Sequence, residues 1–209
     1  FILVLGSAAY LLFRRIQFIK KGIKLGKPLD RSDNAAARWR SMLLVAFGQK
    51  KMFKKPLPAL LHLFVYVGFI IINLEVLEFI IDGVAGTHRI FAPFLGNVYT
   101  VLLSFFEFLA VSVFLACAVF LIRRNIVRVP RFHKPEMKTW PTLDANLILV
   151  FEILLTSAIL LMNASDQVLQ AKGAEHYTAT GSLLFSSYLV PLFQNFDISA
   201  LVVFERFFW

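Results

Sequence analysis

One apolar stretch, residues 56–81, constrains the fold of this chain more than any other part of its sequence. Its uninterrupted part, from residue 58 to residue 81, contains 24 residues and begins directly after a cluster of lysines. A helix rises ~1.5 Å per residue, so this stretch is long enough to cross the ~30 Å hydrocarbon layer of a membrane. The sequence therefore predicts a membrane-spanning helix with its basic end at one membrane surface.

The distribution of charge supports a membrane protein and gives its orientation. Hydrophobic residues make up 58% of the 209 residues, and the formal net charge is +9. Of the 22 basic residues, 19 lie in two segments, residues 14–55 and 123–138, and the three others are Arg89, Lys172 and Arg206. Basic residues concentrated in alternate loops mark the cytoplasmic side of a membrane protein. This distribution argues against nucleic-acid binding as the reason for the positive charge. It also places the amino terminus outside. The single cysteine, Cys117, excludes a disulfide framework or a cysteine-ligated cluster within these residues.

The pattern of apolar segments predicts one all-α domain over residues 1–209, a polytopic transmembrane bundle of about five helices. A short interfacial helix is also expected over residues 35–47. The long outer segment, residues 165–197, contains an apolar stretch at residues 181–193 that is too short to span and is expected to lie in the outer interface or to re-enter slightly. The chain begins without methionine and stops within an apolar segment, so we expect it to be part of a longer protein. The predicted helices are residues 1–20, 58–81, 98–122, 143–162 and 198–209.

His62 is the first candidate functional residue, because it lies inside the second helix about one and a half turns from its basic end. Ionisable residues at this depth are costly and often functional. One interpretation is an axial ligand to haem iron, since a neutral imidazole can bind iron through one nitrogen and donate a hydrogen bond through the other. The alternatives are a neutral histidine bonded to a neighbouring helix and a histidine at the membrane interface. His88, His133 and His176 all fall in predicted loops, so the sequence shows no second axial ligand at the depth of His62.

Carboxyl and guanidinium groups provide the other candidates. Glu107 and Glu152 lie near the middle of the third and fourth helices, where they are expected to transfer protons towards a quinone or to form neutral hydrogen bonds between helices. Arg123 and Arg124 follow the third helix and are candidates to contact haem propionates, although arginines in inner loops also serve simply as topological anchors. A weaker signal is an outer polar patch formed by Glu75, Glu78 and Asp82, of which the first two share one helix face.

The sequence around His62 resembles a known membrane family. The residues that carry the resemblance are GQKK at 48–51, PALLHLF at 58–64 and VGF at 67–69. They are similar to the nitrate-reductase-gamma-like cytochrome b domain at the front of membrane iron–sulfur oxidoreductases of the heterodisulfide reductase type. The HLFVYVGF version, together with the Trp-Pro pair before the fourth helix, resembles those of Bacteroidetes-type bacteria.

The resemblance implies a five-helix bundle that binds haem b, exchanges electrons with a quinone pool and works with an iron–sulfur module, fused or on a partner subunit. His62 matches the family's inner-side haem ligand. Two-haem relatives carry another histidine about ten residues further along the same helix, where this chain has Ile72 and Asn73. The resemblance therefore implies one haem b and puts a second in doubt.

The leading functional hypothesis is electron transfer between a quinone and iron–sulfur centres, in a multi-pass protein of the bacterial inner membrane. The alternative is a haem-free membrane anchor that docks a redox partner. A proton-coupled carrier that uses Glu107 and Glu152 ranks below both, because helices two to four show neither internal repeats nor breaks near the midplane.

Overall fold

The computed structural model describes residues 2–27, 33–49, 52–132, 134–135 and 139–208. The chain divides into two compact units, Phe1–Pro56 and Leu57–Trp209. Lys50 and Lys51, which precede the second predicted helix, and the loop histidine His133 lie outside the described residues.

The first unit contains a long helix and a short one. Helix α1, Ile2–Lys24, combines the apolar amino-terminal segment and its basic extension in one continuous element, and none of its residues is buried. Helix α2, Ala35–Met42, continues into a π-helical turn at Leu43–Phe47. Trp39 on α2 is exposed, like the rest of this helix.

The second unit contains the remaining helices. They are α3 at Pro56–Ala85, a short α4 at Ala92–Leu95, α5 at Asn97–Asn125, α6 at Trp140–Ala171 and α7 at Ile198–Phe208. Of the described helices, α1, α3, α5 and α6 are long and apolar enough to cross a membrane. The described residues contain no strand. The predicted fold class, a polytopic all-α transmembrane bundle, is confirmed.

Small residues and interlocking apolar side chains hold α3, α5 and α6 together. Ile72, Leu109, Ala110 and Ile159 form one buried cluster drawn from all three helices. Gly68 on α3 approaches α5 so closely that an added Cβ would overlap the Val113 side chain. Small residues permit such close helix contacts in membranes, where the hydrophobic effect does not drive association.

Helix α6 is longer than the sequence indicates. The segment Asn163–Ala164–Ser165–Asp166 reads as a helix end, but the helix continues to Ala171, and all four of these residues are buried. The expectation that the fourth helix ends at residue 162 is therefore wrong. The reason is that the polar side chains of Asn163 and Asp166 have partners inside the bundle rather than in water.

The segment over residues 181–193 enters the bundle. It contains two single 3₁₀ turns, Ser186–Tyr188 and Val190–Leu192. The backbone N–H groups of Phe185 and Ser186 donate to the carboxyl of Glu107, at 2.7 and 3.2 Å. Glu107 lies ten residues into α5, which corresponds to ~15 Å along the helix at ~1.5 Å per residue. The segment therefore packs against α5, while its place in the outer interface or slightly inside the membrane stays a prediction.

Candidate functional site

His62 lines a cavity near the first turns of α3. The cavity has a volume of about 410 Å³ and is bounded by α3, α5, α6 and the connection after α5. This volume is within the ~300–1,000 Å³ that is typical of small-molecule and cofactor sites. The imidazole of His62 is exposed, and of the described histidines it alone lines this cavity. Most of the lining is apolar and includes Phe120, Phe132, Ile148 and Leu149.

Arg123 and Arg124 line the same cavity, so three residues singled out from the sequence come together there. Arg124 is buried, and its Nη2 donates to the carbonyl oxygen of Pro141 at 3.3 Å. Its guanidinium carbon lies 5.4 Å from the centroid of the Phe132 ring, within the range of a cation–π contact. Its Nε is buried without a hydrogen-bond partner among the described residues. The positive charge of Arg124, in a cavity with apolar walls, suits an anionic group of a bound molecule.

Glu107 and Glu152 do not line this cavity. Glu152 is half-buried on α6. Glu107 is fully buried. It accepts a hydrogen bond from Asn163 Nδ2 at 3.1 Å, in addition to those from the backbone N–H groups of Phe185 and Ser186. It therefore belongs to a second polar site, at the opposite end of the bundle from Arg123 and Arg124 in the last turn of α5.

Arg89 is the centre of this second site, which we call the outer polar cluster: Glu75, Glu78, Asp82, Arg89, Tyr99, Glu107, Asn163 and Asp166. Arg89 belongs to the α3–α4 connection and is only 3% exposed. Its Nη2 donates to Asn163 Oδ1 at 2.7 Å and to Asp166 Oδ2 at 3.1 Å, and its Nε lies 3.3 Å from the same Asp166 oxygen. Its Nη1 lies 3.7 Å from Glu75 Oε1. One loop side chain thus joins two helices.

Burial opposes the charge of Arg89, but nearby acidic groups, chiefly the carboxylate of Asp166, outweigh it, and the pKa of Arg89 is raised above its ordinary value. The guanidinium is therefore a fixed positive charge inside the bundle.

The carboxyls at the outer end of α3 fix the α3–α4 connection. Asp82 accepts hydrogen bonds from the Thr87 hydroxyl at 2.6 Å and from the backbone N–H groups of Arg89 and Ile90, at 2.8 and 3.2 Å. Glu78 accepts from the backbone N–H of Phe91 at 3.1 Å and from the Tyr99 hydroxyl at 2.7 Å. These bonds determine where the side chain of Arg89 enters the bundle.

A smaller cavity, of about 250 Å³, adjoins the cluster. Its lining includes Asp82, His88, Arg89, Tyr177 and Glu205. His88 Nδ1 accepts a hydrogen bond from the backbone N–H of Thr178, so the proton of the neutral ring is on Nε2. This Nε2 lies 3.2 Å from Asp166 Oδ1. Burial, together with the neighbouring carboxyl of Glu205, raises the pKa of Tyr177, whose hydroxyl lies 3.2 Å from Glu205 Oε2.

Sequence reasoning treated Glu75, Glu78 and Asp82 as a weak outer patch and missed the role of Arg89. Two signals could have found it. The three acidic residues are spaced three and four apart on one helix face, and Arg89 is a basic residue in an outer loop, where the positive-inside pattern disfavours basic residues. An isolated arginine in an outer loop, together with several carboxyls on one helix face, indicates that the arginine pairs with carboxyls inside the bundle.

The fold defines the class of protein, a polytopic α-helical membrane protein, and one curated relative adds to this. Over 173 residues the chain is 26% identical to a protein of Bacillus subtilis (strain 168) named probable iron-sulfur-binding oxidoreductase FadF. The match covers 83% of this chain and 23% of that protein, so the chain spans less than a quarter of the relative's length. No family model matches the chain, and no solved structure matches it.

Proposed function

We propose that this chain is the membrane haem b domain of an oxidoreductase of the bacterial inner membrane. In this proposal it transfers electrons between a quinone pool and the iron–sulfur centres of a fused or partner module on the cytoplasmic side. The observation that carries the proposal is the shared cavity of His62, Arg123 and Arg124. The similarity to a protein named as an iron-sulfur-binding oxidoreductase supports a redox role.

The residues of this cavity fit haem b. An exposed imidazole on a rigid helix is an axial ligand of the kind that haem proteins use. The guanidinium charge of Arg124 is suited to a propionate, and Arg123 adds a second positive charge. The aromatic and aliphatic lining would enclose the macrocycle. When bound, haem b would supply one-electron redox chemistry.

The residues of the chain itself would have three tasks. His62 would hold the iron, while Arg124, kept in place by the Pro141 carbonyl and the Phe132 ring, would orient and neutralise the anionic edge of the cofactor. The apolar walls would exclude water and so strengthen the electrostatic influence of both arginines on the reduction potential. Glu107 and Glu152 stay candidates for proton transfer to or from a quinone.

The iron–sulfur centres belong to a module outside these 209 residues, because the chain has one cysteine and such clusters are usually held by four. The basic inner segments, residues 14–55 and 123–138, would attract an acidic surface of that module and the anionic headgroups of lipids.

The experiment compares Arg124→Gln with Arg128→Gln in the full-length protein. Arg128 is an exposed arginine of the same inner connection and does not line the cavity, so it is the matched control. We expect Arg124→Gln to lower the reduction potential of the haem, because it removes a positive charge that favours the extra electron, and we expect Arg128→Gln to leave the potential nearly unchanged. Equal shifts in the two variants would show that Arg124 does not contact the cofactor. Folded protein that lacks haem altogether would favour the membrane-anchor hypothesis.

A further inference from the structure

Glu75 differs from the other carboxyls of the outer polar cluster in its hydrogen bonding. Its side chain is 1% exposed, and neither of its carboxyl oxygens has a hydrogen-bond partner among the described residues. Its nearest cation is Arg89, whose Nη1 also lacks a hydrogen bond and lies 3.7 Å away. A buried carboxylate without donors is strongly disfavoured, whereas a carboxylic acid is far less costly to bury.

The neighbouring carboxyls are all supplied with donors. Glu78 accepts two hydrogen bonds, Asp82 accepts three and Glu107 accepts three, and five of these eight donors are backbone N–H groups. Hydrogen bonding to a carboxylate stabilises its charged form. Asp166 in turn accepts hydrogen bonds from Arg89, so of the five carboxyl residues of the cluster Glu75 is the one that accepts none from the described residues.

The charge of Arg89 is already shared with another carboxylate. Its Nε and Nη2 both face Asp166 Oδ2, so Asp166 is its main partner. The triad of Glu75, Arg89 and Asp166 has a net charge of −1 when Glu75 is ionised and no net charge when Glu75 carries a proton. The other charged groups that face Glu75 are Glu78 from its own helix and Glu107 from α5, both acidic. They add to the repulsion of a further negative charge.

The positive charge of Arg89 favours a proton over a metal cation as the group that binds to Glu75. A metal ion bound to Glu75 would lie beside a guanidinium group and would be repelled by it. A proton neutralises the carboxyl without placing a second positive charge next to Arg89.

We propose that Glu75 is a buried proton-binding site that exchanges with the outer aqueous side. In the binding step, a hydronium ion transfers one proton to a carboxylate oxygen of Glu75 and leaves as water, and the triad passes from −1 to neutral. The cavity of about 250 Å³ ends short of Glu75 itself but reaches Arg89, whose Nη1 lies 3.7 Å from Glu75, so exchange requires a proton to pass from this cavity along Arg89. The inference goes beyond electron transfer and does not depend on haem.

Infrared difference spectroscopy of the full-length protein in lipid nanodiscs tests this assignment. The spectrum of wild type minus Glu75→Gln at neutral pH is expected to show one carboxylic-acid C=O band, which shifts when H₂O is replaced by D₂O. The matched control is Glu175→Gln, which alters an exposed glutamate of an outer connection and should lose no such band. A difference spectrum for Glu75→Gln without an acid band would overturn the proposal.

A second variant tests the shared guanidinium and covers the case in which Glu75→Gln does not fold. Asp166→Asn frees Arg89 to pair with Glu75 alone, so the triad becomes neutral with Glu75 ionised. The acid band should then disappear at the pH where the wild type shows it. An unchanged band in Asp166→Asn would contradict the charge-sharing argument on which the assignment depends.

Discussion

Replacing Arg89 by methionine tests whether one loop side chain holds the outer end of the bundle together. Methionine keeps the length and the apolar part of the side chain but removes all guanidinium donors. The hydrogen bonds to Asn163 Oδ1 and Asp166 Oδ2, at 2.7 and 3.1 Å, are lost, and so is the 3.7 Å contact with Glu75. The bond from the backbone N–H of residue 89 to Asp82 is retained, so the change is confined to the side chain.

The magnitude follows from what the substitution leaves behind. Asp166 is 2% exposed and would keep only the contact with His88 as a counterpart to its charge. Removing one partner of a buried ion pair costs about 3–5 kcal/mol, because the remaining charge is buried without compensation. We therefore expect Arg89→Met to lower the free energy of unfolding by ~3–5 kcal/mol. Adding Asp166→Asn to the same chain should recover part of this loss, since it removes the uncompensated charge.

The assay is reversible unfolding of the full-length protein in mixed micelles by titration with sodium dodecyl sulfate, followed by circular dichroism. Arg206→Met is the control, because Arg206 is exposed on α7, and exposed substitutions usually change stability by no more than ~0.5 kcal/mol. If Arg89→Met and Arg206→Met destabilise equally, or if Asp166→Asn gives no recovery, Arg89 does not act as the shared ion-pair partner.

Two further predictions concern packing and hydrogen bonding. Gly68→Ala should destabilise the bundle by ~1–3 kcal/mol in the same unfolding assay, because its Cβ would overlap the buried Val113 side chain; unchanged stability would mean that α3 and α5 are not in such close contact. Tyr99→Phe removes the 2.7 Å hydrogen bond to Glu78 and should lower the free energy of unfolding by ~1–3 kcal/mol, whereas Tyr188→Phe, at an 82% exposed position, should have almost no effect. Equal effects of the two tyrosine substitutions would argue against a buried Tyr99–Glu78 bond.

The long apolar segments of the sequence predict the helical part of the fold well. Hydropathy depends on composition over about 20 residues, and a bilayer requires helices whose backbone hydrogen bonds are internal. The sequence therefore predicts the bounds of α3 and α5 to within a few residues. The end of α6 was placed nine residues too early. Asn163 and Asp166 favour caps and turns when they face water, but here they bind Arg89, which is more than 70 residues away in sequence.

The two polar sites differ in how far the sequence anticipates them. His62, Arg123 and Arg124 each follow from a local pattern, and the structure adds that they line one cavity. The outer polar cluster depends on contacts between the α3–α4 connection, α5 and α6, which no local pattern specifies. Even so, the acidic spacing on α3 and the isolated outer arginine are visible in the sequence and would be useful signals in other chains of this kind.

The most direct test of the account is a reduced-minus-oxidised optical spectrum of the purified full-length protein, recorded for wild type, His62→Ala and His176→Ala. His176 is an exposed histidine of an outer connection and controls for the loss of an imidazole as such. The account predicts a b-type haem spectrum in wild type and His176→Ala, and its loss or reduction by one haem in His62→Ala. A well-folded wild type with no haem signal, or a His62→Ala spectrum identical to wild type, would contradict it.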